Sequence, residues 1–321
     1  VIVRGRLWQD ARRDGPDEHR ERLAPVSGLL SLLSQLTARS PSVPAAPRPR
    51  TSANHAVITS PDLTGSTVVA LHAHPDDEAI FTGITLRRLA DAGARTVLVM
   101  ATGGELGESR VPLRPGETVA QRRVAELERA AELLGVARLV LLGRRDSGRP
   151  GGPDSRHHRA LALGDPHDLA RRVARVAVEE GACAVLHDDE QGVYGHPDHL
   201  TAARIGTAVA ERLDVPGYGF TVDREYLHLS GGGPHLVRGA AQWAEVAYGR
   251  VTAEIALAVT GDAEHLACKR AAITAHASQV DDADVPLDGF ADTYGYEWYR
   301  RHGTPGVLES LGNAHLLAGA L

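Results

Sequence analysis

Val68-Val69-Ala70-Leu71-His72 runs straight into Ala73-His74-Pro75-Asp76-Asp77-Glu78. A short apolar run that ends in a polar turn and is followed by a helical pattern predicts a buried strand delivering that turn to a helix start. The helix continues through Leu86-Arg87-Arg88-Leu89-Ala90 and closes near Gly93. Beyond it, strand and helix alternate. Positions 95–101, 139–142 and 182–186 predict strands, and 118–134, 169–179 and 197–213 predict helices. Within 118–134, Val119, Val124, Leu127, Ala131 and Leu134 share one face, and Gly135 stops the helix. The stretch 217–260 alternates apolar and polar residues and predicts further strands, and 262–277 predicts a last helix. Such alternation defines an α/β chain: a mostly parallel sheet with helices on both faces, plus additional C-terminal strands and a helix.

Gly195-His196-Pro197-Asp198-His199 follows the fourth predicted strand. Ligands of open parallel sheets bind beyond the carboxyl ends of strands, where the strand order reverses, so both His/Asp motifs fall on one rim. His74 and Asp77 are three residues apart at a strand-to-helix turn and can converge. His196 and His199 repeat that spacing, with Pro75 and Pro197 each suited to a first helical position. His74, Asp77 and His199 are therefore the candidate metal ligands. Two imidazoles and one carboxylate leave coordination positions open, as in a catalytic rather than a structural zinc site. This donor set favours Zn2+ and is tolerated by Fe2+. Asp76 is then free to take a proton from an attacking water and return it to a leaving amine. His196 can donate to an oxyanion, Asp198 can orient and charge His196, and Tyr194 is near enough to polarise a carbonyl. The spacing differs from the metalloprotease helix, which places two histidines four apart.

Taken singly, an Asp pair at a helix start is ordinarily dipole capping, and a His-Pro-Asp triplet is ordinarily a turn. Two His-first pieces, each with Pro next and each following a strand, point instead to a shared metal. Other candidates read more plainly. His187-Asp188-Asp189-Glu190 reads as solvated loop, His157-His158 as surface, and His276 and Gln279 as helix capping. In Gly103-Gly104-Glu105-Leu106-Gly107 the glycines allow close approach to a sugar, with Glu105 accepting hydroxyl hydrogen bonds; dinucleotide spacing is absent.

The 321-residue chain is long enough for a substantial core. Its net charge is −6, yet residues 1–60 carry nine arginines against five acidic residues. The acidic remainder argues against nucleic acid as a partner. Residues 1–60 predict an N-terminal extension with one short amphipathic helix (Val26, Leu29, Leu30, Leu33, Leu36) and a Pro-rich, disordered linker over 40–52. The catalytic domain is expected over 61–321. Two distant cysteines, Cys183 and Cys268, form no disulfide framework. Cys183 reads as a buried small hydrophobe, and a reducing, cytoplasmic setting is expected. No apolar run approaches the roughly 20 residues of a membrane helix, so no membrane partner is expected, and a homo-oligomer remains open.

Ala73-His74-Pro75-Asp76-Asp77-Glu78 with Gly195-His196-Pro197-Asp198-His199 resembles the PIG-L (LmbE-like) family of zinc-dependent N-acetylglucosaminyl deacetylases. The resemblance extends over about 68–300. It includes Thr102 to Gly107, Arg123 with Glu126-Leu127, Arg145-Asp146-Ser147-Gly148, Asp189 to Gly192, Lys269 to Ala272, Ala275 to Gln279 and Glu297-Trp298-Tyr299. It implies a Rossmann-like fold and hydrolysis of an acetamide on a small glucosamine-type conjugate. Zinc falls to His74, Asp77 and His199, the general base to Asp76, oxyanion stabilisation to His196 with support from Asp198, a mobile tyrosine to Tyr194, and sugar contacts to Arg123 and Asp146. The branch it looks like holds actinobacterial mycothiol-pathway and antibiotic-tailoring enzymes. There an aromatic commonly precedes Arg-Asp-Ser-Gly and Met follows it, whereas this chain has Arg144 and Arg149. The alternative is an amidase cleaving a larger acyl group from a glucosamine-linked thiol conjugate or natural product. A metal-bearing sugar-binding module is a third reading, and it has no need of an intact Asp76 and His196.

Overall fold

The computed structural model describes residues 61–149, 151–230, 233–244 and 247–312. The expected N-terminal helix and linker lie outside the described residues. Seven strands form one sheet: β1 (Thr67–His72), β2 (Arg95–Thr102), β3 (Arg138–Arg144), β4 (Ala184–Asp188), β5 (Gly217–Thr221), β6 (Leu257–Thr260) and β7 (Tyr296–His302). Their spatial order is β3-β2-β1-β4-β5-β7-β6. The first five run parallel, and β7 pairs antiparallel with both β5 and β6. The chain thus builds outward from β1 through β2 and β3, then returns to place β4 on β1's other side. The crevice between the carboxyl ends of β1 and β4 is the point where the strand order reverses.

Every residue of β1 is buried, as a central parallel strand requires. Val68 and Ala70 face one core, shared with Ile80, Ile84, Leu127, Ile273 and Trp298. Val69 and Leu71 face the other, shared with Leu169, Val173, Ile205 and Val209. Helices Asp77–Asp91, Val119–Leu133 and Ala263–Ala275 thereby cover one face, and helices Pro166–Glu179 and Pro197–Leu213 cover the other. Thr118 caps the second helix by accepting from the Gln121 amide at 3.2 Å, completing a capping box.

Three expectations need correction. Among the described residues of 217–260, strands occupy only the two ends; helices Arg224–Leu229 and Leu236–Ala244 lie between them. Asp223 starts the first of these by accepting from the amides of Glu225 and Tyr226, both at 3.0 Å. Val237 and Ala241, four apart, bury the inner face of the second. Cys183 is exposed rather than buried. Pro197 opens its helix as expected, but Pro75 does not: the first helix begins at Asp77 with Asp76 at its cap.

Lys269, the chain's only lysine, is buried with its Nζ 2.7 Å from Glu297 Oε1. Glu297 also accepts from the amides of Ile84 at 2.7 Å and Thr85 at 2.8 Å, tying β7 to the first helix. Removing one partner of a buried ion pair strands the other, at about 3–5 kcal/mol. Lys269→Ala should lose a stability of about that size in urea denaturation, and an unchanged midpoint would show that the pair contributes nothing.

Candidate active site

His74 and Asp77 are placed by the end of β1. Ala73 is pinned to β2 because its carbonyl accepts from the Thr102 amide at 3.1 Å and the Thr102 hydroxyl at 2.9 Å. The turn that follows is tight, with the His74 amide donating to Asp77 Oδ2 at 2.8 Å. His199 comes from the first turn of helix Pro197–Leu213, which packs against β4. His74 Nδ1 and His199 Nε2 stand 3.3 Å apart. Asp77 Oδ2 lies 3.7 Å from the first and 3.6 Å from the second. All three residues are buried.

Each imidazole is anchored through its other nitrogen. His199 Nδ1 is 2.6 Å from Asp188 Oδ1, at the end of β4. His74 Nε2 is 3.1 Å from Asp198 Oδ2 and 3.6 Å from Asp146 Oδ1. A carboxylate behind an imidazole fixes the tautomer and leaves the far nitrogen bare toward a cation. Donor atoms around a four-coordinate zinc stand roughly 3.3 Å apart, given bonds of about 2.0–2.1 Å. The spacing and the bare nitrogens therefore fit a divalent cation.

Charge argues the same way. Burial holds the carboxyls of Asp76, Asp77 and Asp188 above the usual aspartate range, against the pull of neighbouring Arg123 or histidines. Burial disfavours charge on His74 as well, but Asp146, Asp198 and Asp77 outweigh it and raise its pKa well above the ordinary value. His199 is raised too, by Asp77 and Asp188 against burial. A bound cation neutralises such a crowd and displaces those protons. His74, His196 and His199 also bring one donor atom each within 4.8 Å of one another, as do His74, Asp146, His196 and Asp198. The second grouping needs His74 Nε2, which Asp198 already holds. His196 Nδ1 accepts from the Asp198 amide at 3.2 Å. The candidate third donors are therefore Asp77 Oδ2, 3.7 and 3.6 Å from the two histidine nitrogens, and His196 Nε2.

That contact also fixes His196. With Nδ1 accepting, its neutral ring carries the proton on Nε2 and can donate. Burial, then the neighbouring His74 and His199, push its pKa down to about 3. Its ring stands edge-on to His74 at 4.9 Å. Asp198 corrects an expectation here, because its carboxylate holds His74 rather than His196. Asp198 itself accepts from the Ser147 amide at 2.9 Å and from the Ser147 hydroxyl.

Asp76 carries φ 119°, a left-handed value for a non-glycine residue, and its side chain makes no cap hydrogen bond. Its amide donates to Glu78 Oε2 at 3.0 Å, and Arg123 Nη2 donates to its Oδ2 at 3.1 Å. Arg123, expected at the sugar, is buried behind Asp76, with further bonds to the Pro75 and Gly104 carbonyls. Glu105 and Asp146 are joined to each other: Glu105 Oε2 accepts from the Asp146 amide at 2.9 Å. Tyr194 places its hydroxyl 3.2 Å from His199 Nε2. It follows Val193, which has φ 55°. Asp189 Oδ1 steadies that turn by accepting from the Val193 amide at 2.9 Å.

Sequence reasoning gave no part in the site to Asp188, Asp189, Glu78, Ser147 and His276. Asp188 and Asp189 sat in a charged run that looked solvated, although the run directly continues an apolar strand. His276 does sit at the C-cap of helix Ala263–Ala275, and its Nε2 also lies 2.6 Å from Glu78 Oε1. A groove of about 690 Å3 lies apart from this cluster, and its lining includes Arg171, Arg172, Arg175 and Arg212 beside Asp168 and Glu179. It holds none of the groups just described.

Two histidines and carboxylates at the switch point of an α/β sheet could hold a metal ion, an arrangement suited to a hydrolase. Residues 69–210 match the PIG-L family, described as GlcNAc-PI de-N-acetylase. Over 247 residues the chain is 31% identical to 1D-myo-inositol 2-acetamido-2-deoxy-alpha-D-glucopyranoside deacetylase of Salinispora arenicola, covering 70% of this chain and 79% of that protein. The protein of the same name from Corynebacterium diphtheriae is 34% identical over 240 residues, covering 70% and 80%. Among solved structures, the A40926 pseudoaglycone deacetylase superposes with a TM-score of 0.50 at 16% identity, over 75% of this chain and 98% of that one, a likeness of fold. The chain belongs to the PIG-L family.

Loss of a carboxylate behind a ligating imidazole typically weakens metal binding 10–100-fold. Asp188→Ala should raise the zinc dissociation constant by about that factor in chelator competition. Wild-type affinity would remove Asp188 from the site.

Proposed function

We propose that this chain hydrolyses the acetamide of an N-acetylglucosamine unit in a small sugar conjugate, releasing acetate and a free amine. The convergence of His74 Nδ1, His199 Nε2 and Asp77 Oδ2 beside Asp76 carries this reading. A divalent cation at these three residues, Zn2+ by donor chemistry, would lower the pKa of water to about 7 and polarise the amide carbonyl. Asp76 takes the proton of the attacking water and delivers it to the amine as the carbon–nitrogen bond breaks. His196, a neutral donor at Nε2, receives the oxyanion of the tetrahedral intermediate. Tyr194, whose hydroxyl lies 3.2 Å from His199 Nε2, would help polarise the carbonyl. Glu105 and Asp146 offer acceptors for sugar hydroxyls at the rim.

Support for acetate over a larger acyl group comes from the relatives, which are named for a 2-acetamido sugar joined to inositol. Among the described residues no helix is long and apolar enough to cross a membrane. Two free cysteines suit a reducing, cytoplasmic compartment.

The zinc-loaded protein should release acetate from that inositol conjugate. Asp76→Ala should keep its zinc and lose about 10²–10⁴-fold in kcat, the usual worth of a positioned acid–base group. Full turnover by the zinc-loaded variant would rule out Asp76 as the base.

A further inference from the structure

We propose that His276 is a positioning residue for the general base, acting through Glu78. This rests on the reading of Asp76 as that base. A non-glycine residue at φ 119° is strained by about 1–3 kcal/mol and persists only where its surroundings over-determine it. Three contacts hold Asp76. Its carbonyl accepts from the amides of Ala79 and Ile80, both at 3.1 Å. Its carboxylate meets Arg123. Its amide donates to Glu78 Oε2. The first contact belongs to the helix turn and would form around many conformations. The third fixes the direction of the Asp76 amide, and Arg123 Nη2 steadies the same peptide from its other end by donating to the Pro75 carbonyl.

Glu78 can serve only while its carboxylate stays turned toward the Asp76 amide. It is fully buried, and its other oxygen is spent on His276 Nε2 at 2.6 Å. Without that partner the buried carboxylate loses the contact that fixes its orientation. His276 itself is anchored by its segment. The Ser278 amide and hydroxyl donate to Glu126 at 3.0 Å and 2.6 Å, and Glu126 shares helix Val119–Leu133 with Arg123. The Ser278 carbonyl accepts from the Arg110 amide at 2.9 Å, and Gln279 Nε2 donates to the Glu108 carbonyl at 3.2 Å. Residues 276–279 thus bind together the helix that begins beside Asp76, the helix that carries Arg123, and the loop over 104–114. The hydrogen-bond partner of His276 is Glu78 rather than a ligand donor. Its contribution lies in the backbone geometry of Asp76.

Steady-state kinetics of the zinc-loaded full chain, together with amide hydrogen exchange, test this. His276→Ala should lower kcat about 10–100-fold, the scale expected for a small misplacement of a reacting group. KM and zinc stoichiometry should stay at wild-type values. His276→Gln, which can still donate to Glu78, should recover most of the loss. In the same variants the Asp76 amide should exchange at least tenfold faster in His276→Ala than in wild type, and remain protected in His276→Gln. If His276→Ala fails to fold, His276→Leu fills the space without a donor and carries the same comparison. A folded variant with wild-type kcat and a protected Asp76 amide would overturn the proposal. Should the wild-type protein release no acetate, the deacetylase reading falls, while amide exchange still decides whether His276 holds Asp76.

Discussion

Two imidazoles 125 residues apart must present bare nitrogens to one point. That requirement governs the rest of the structure. It is met because β1 and β4 lie side by side and parallel, so that the turn after one and the helix after the other begin at the same rim. Strand order achieves this, since β2 and β3 are laid down on the far side of β1 before the chain returns. A sheet wound in simple succession would place β4 away from β1, and His199 away from His74.

Proximity alone leaves each ring free to rotate and to carry its proton on either nitrogen. Asp188 and Asp198 remove that freedom, and both belong to the segments that bring the second histidine. Ser147, in turn, braces Asp198. Collecting so many carboxylates in a buried crevice is unfavourable without a cation, because burial penalises each charge. The same crowding that destabilises the metal-free site strengthens its hold on a divalent ion.

The backbone bears part of this load. Asp76 and Val193 both adopt left-handed φ values, and both stand beside the candidate ligands. Strain of this kind endures where packing and hydrogen bonds leave no alternative. Arg123 and Glu78 supply them for Asp76; Asp189 and the amide of Gly249 supply them for Val193. Much of the polar network around the crevice therefore serves backbone placement rather than direct chemistry.

The sequence by itself determined the layered α/β architecture, because buried strands and amphipathic helices write their periods locally. It also marked His74, Asp77 and His199, since a strand-end turn brings residues three apart to one side. Local pattern misled where a competing local choice won. Asp198 stands next but one to His196, yet the helix start uses Nδ1 of His196 to accept the Asp198 amide and sends the Asp198 carboxylate to His74. Alternating polarity over 217–260 suggested strands where an Asp223 cap starts a helix. Arg123 was read as a sugar contact and is enclosed behind Asp76. Only the tertiary structure decided that Asp188 is buried, that His276 meets Glu78 across 198 residues, and which nitrogen of each histidine is bare. Those facts depend on strand order and side-chain direction between remote segments, and no local periodicity records them.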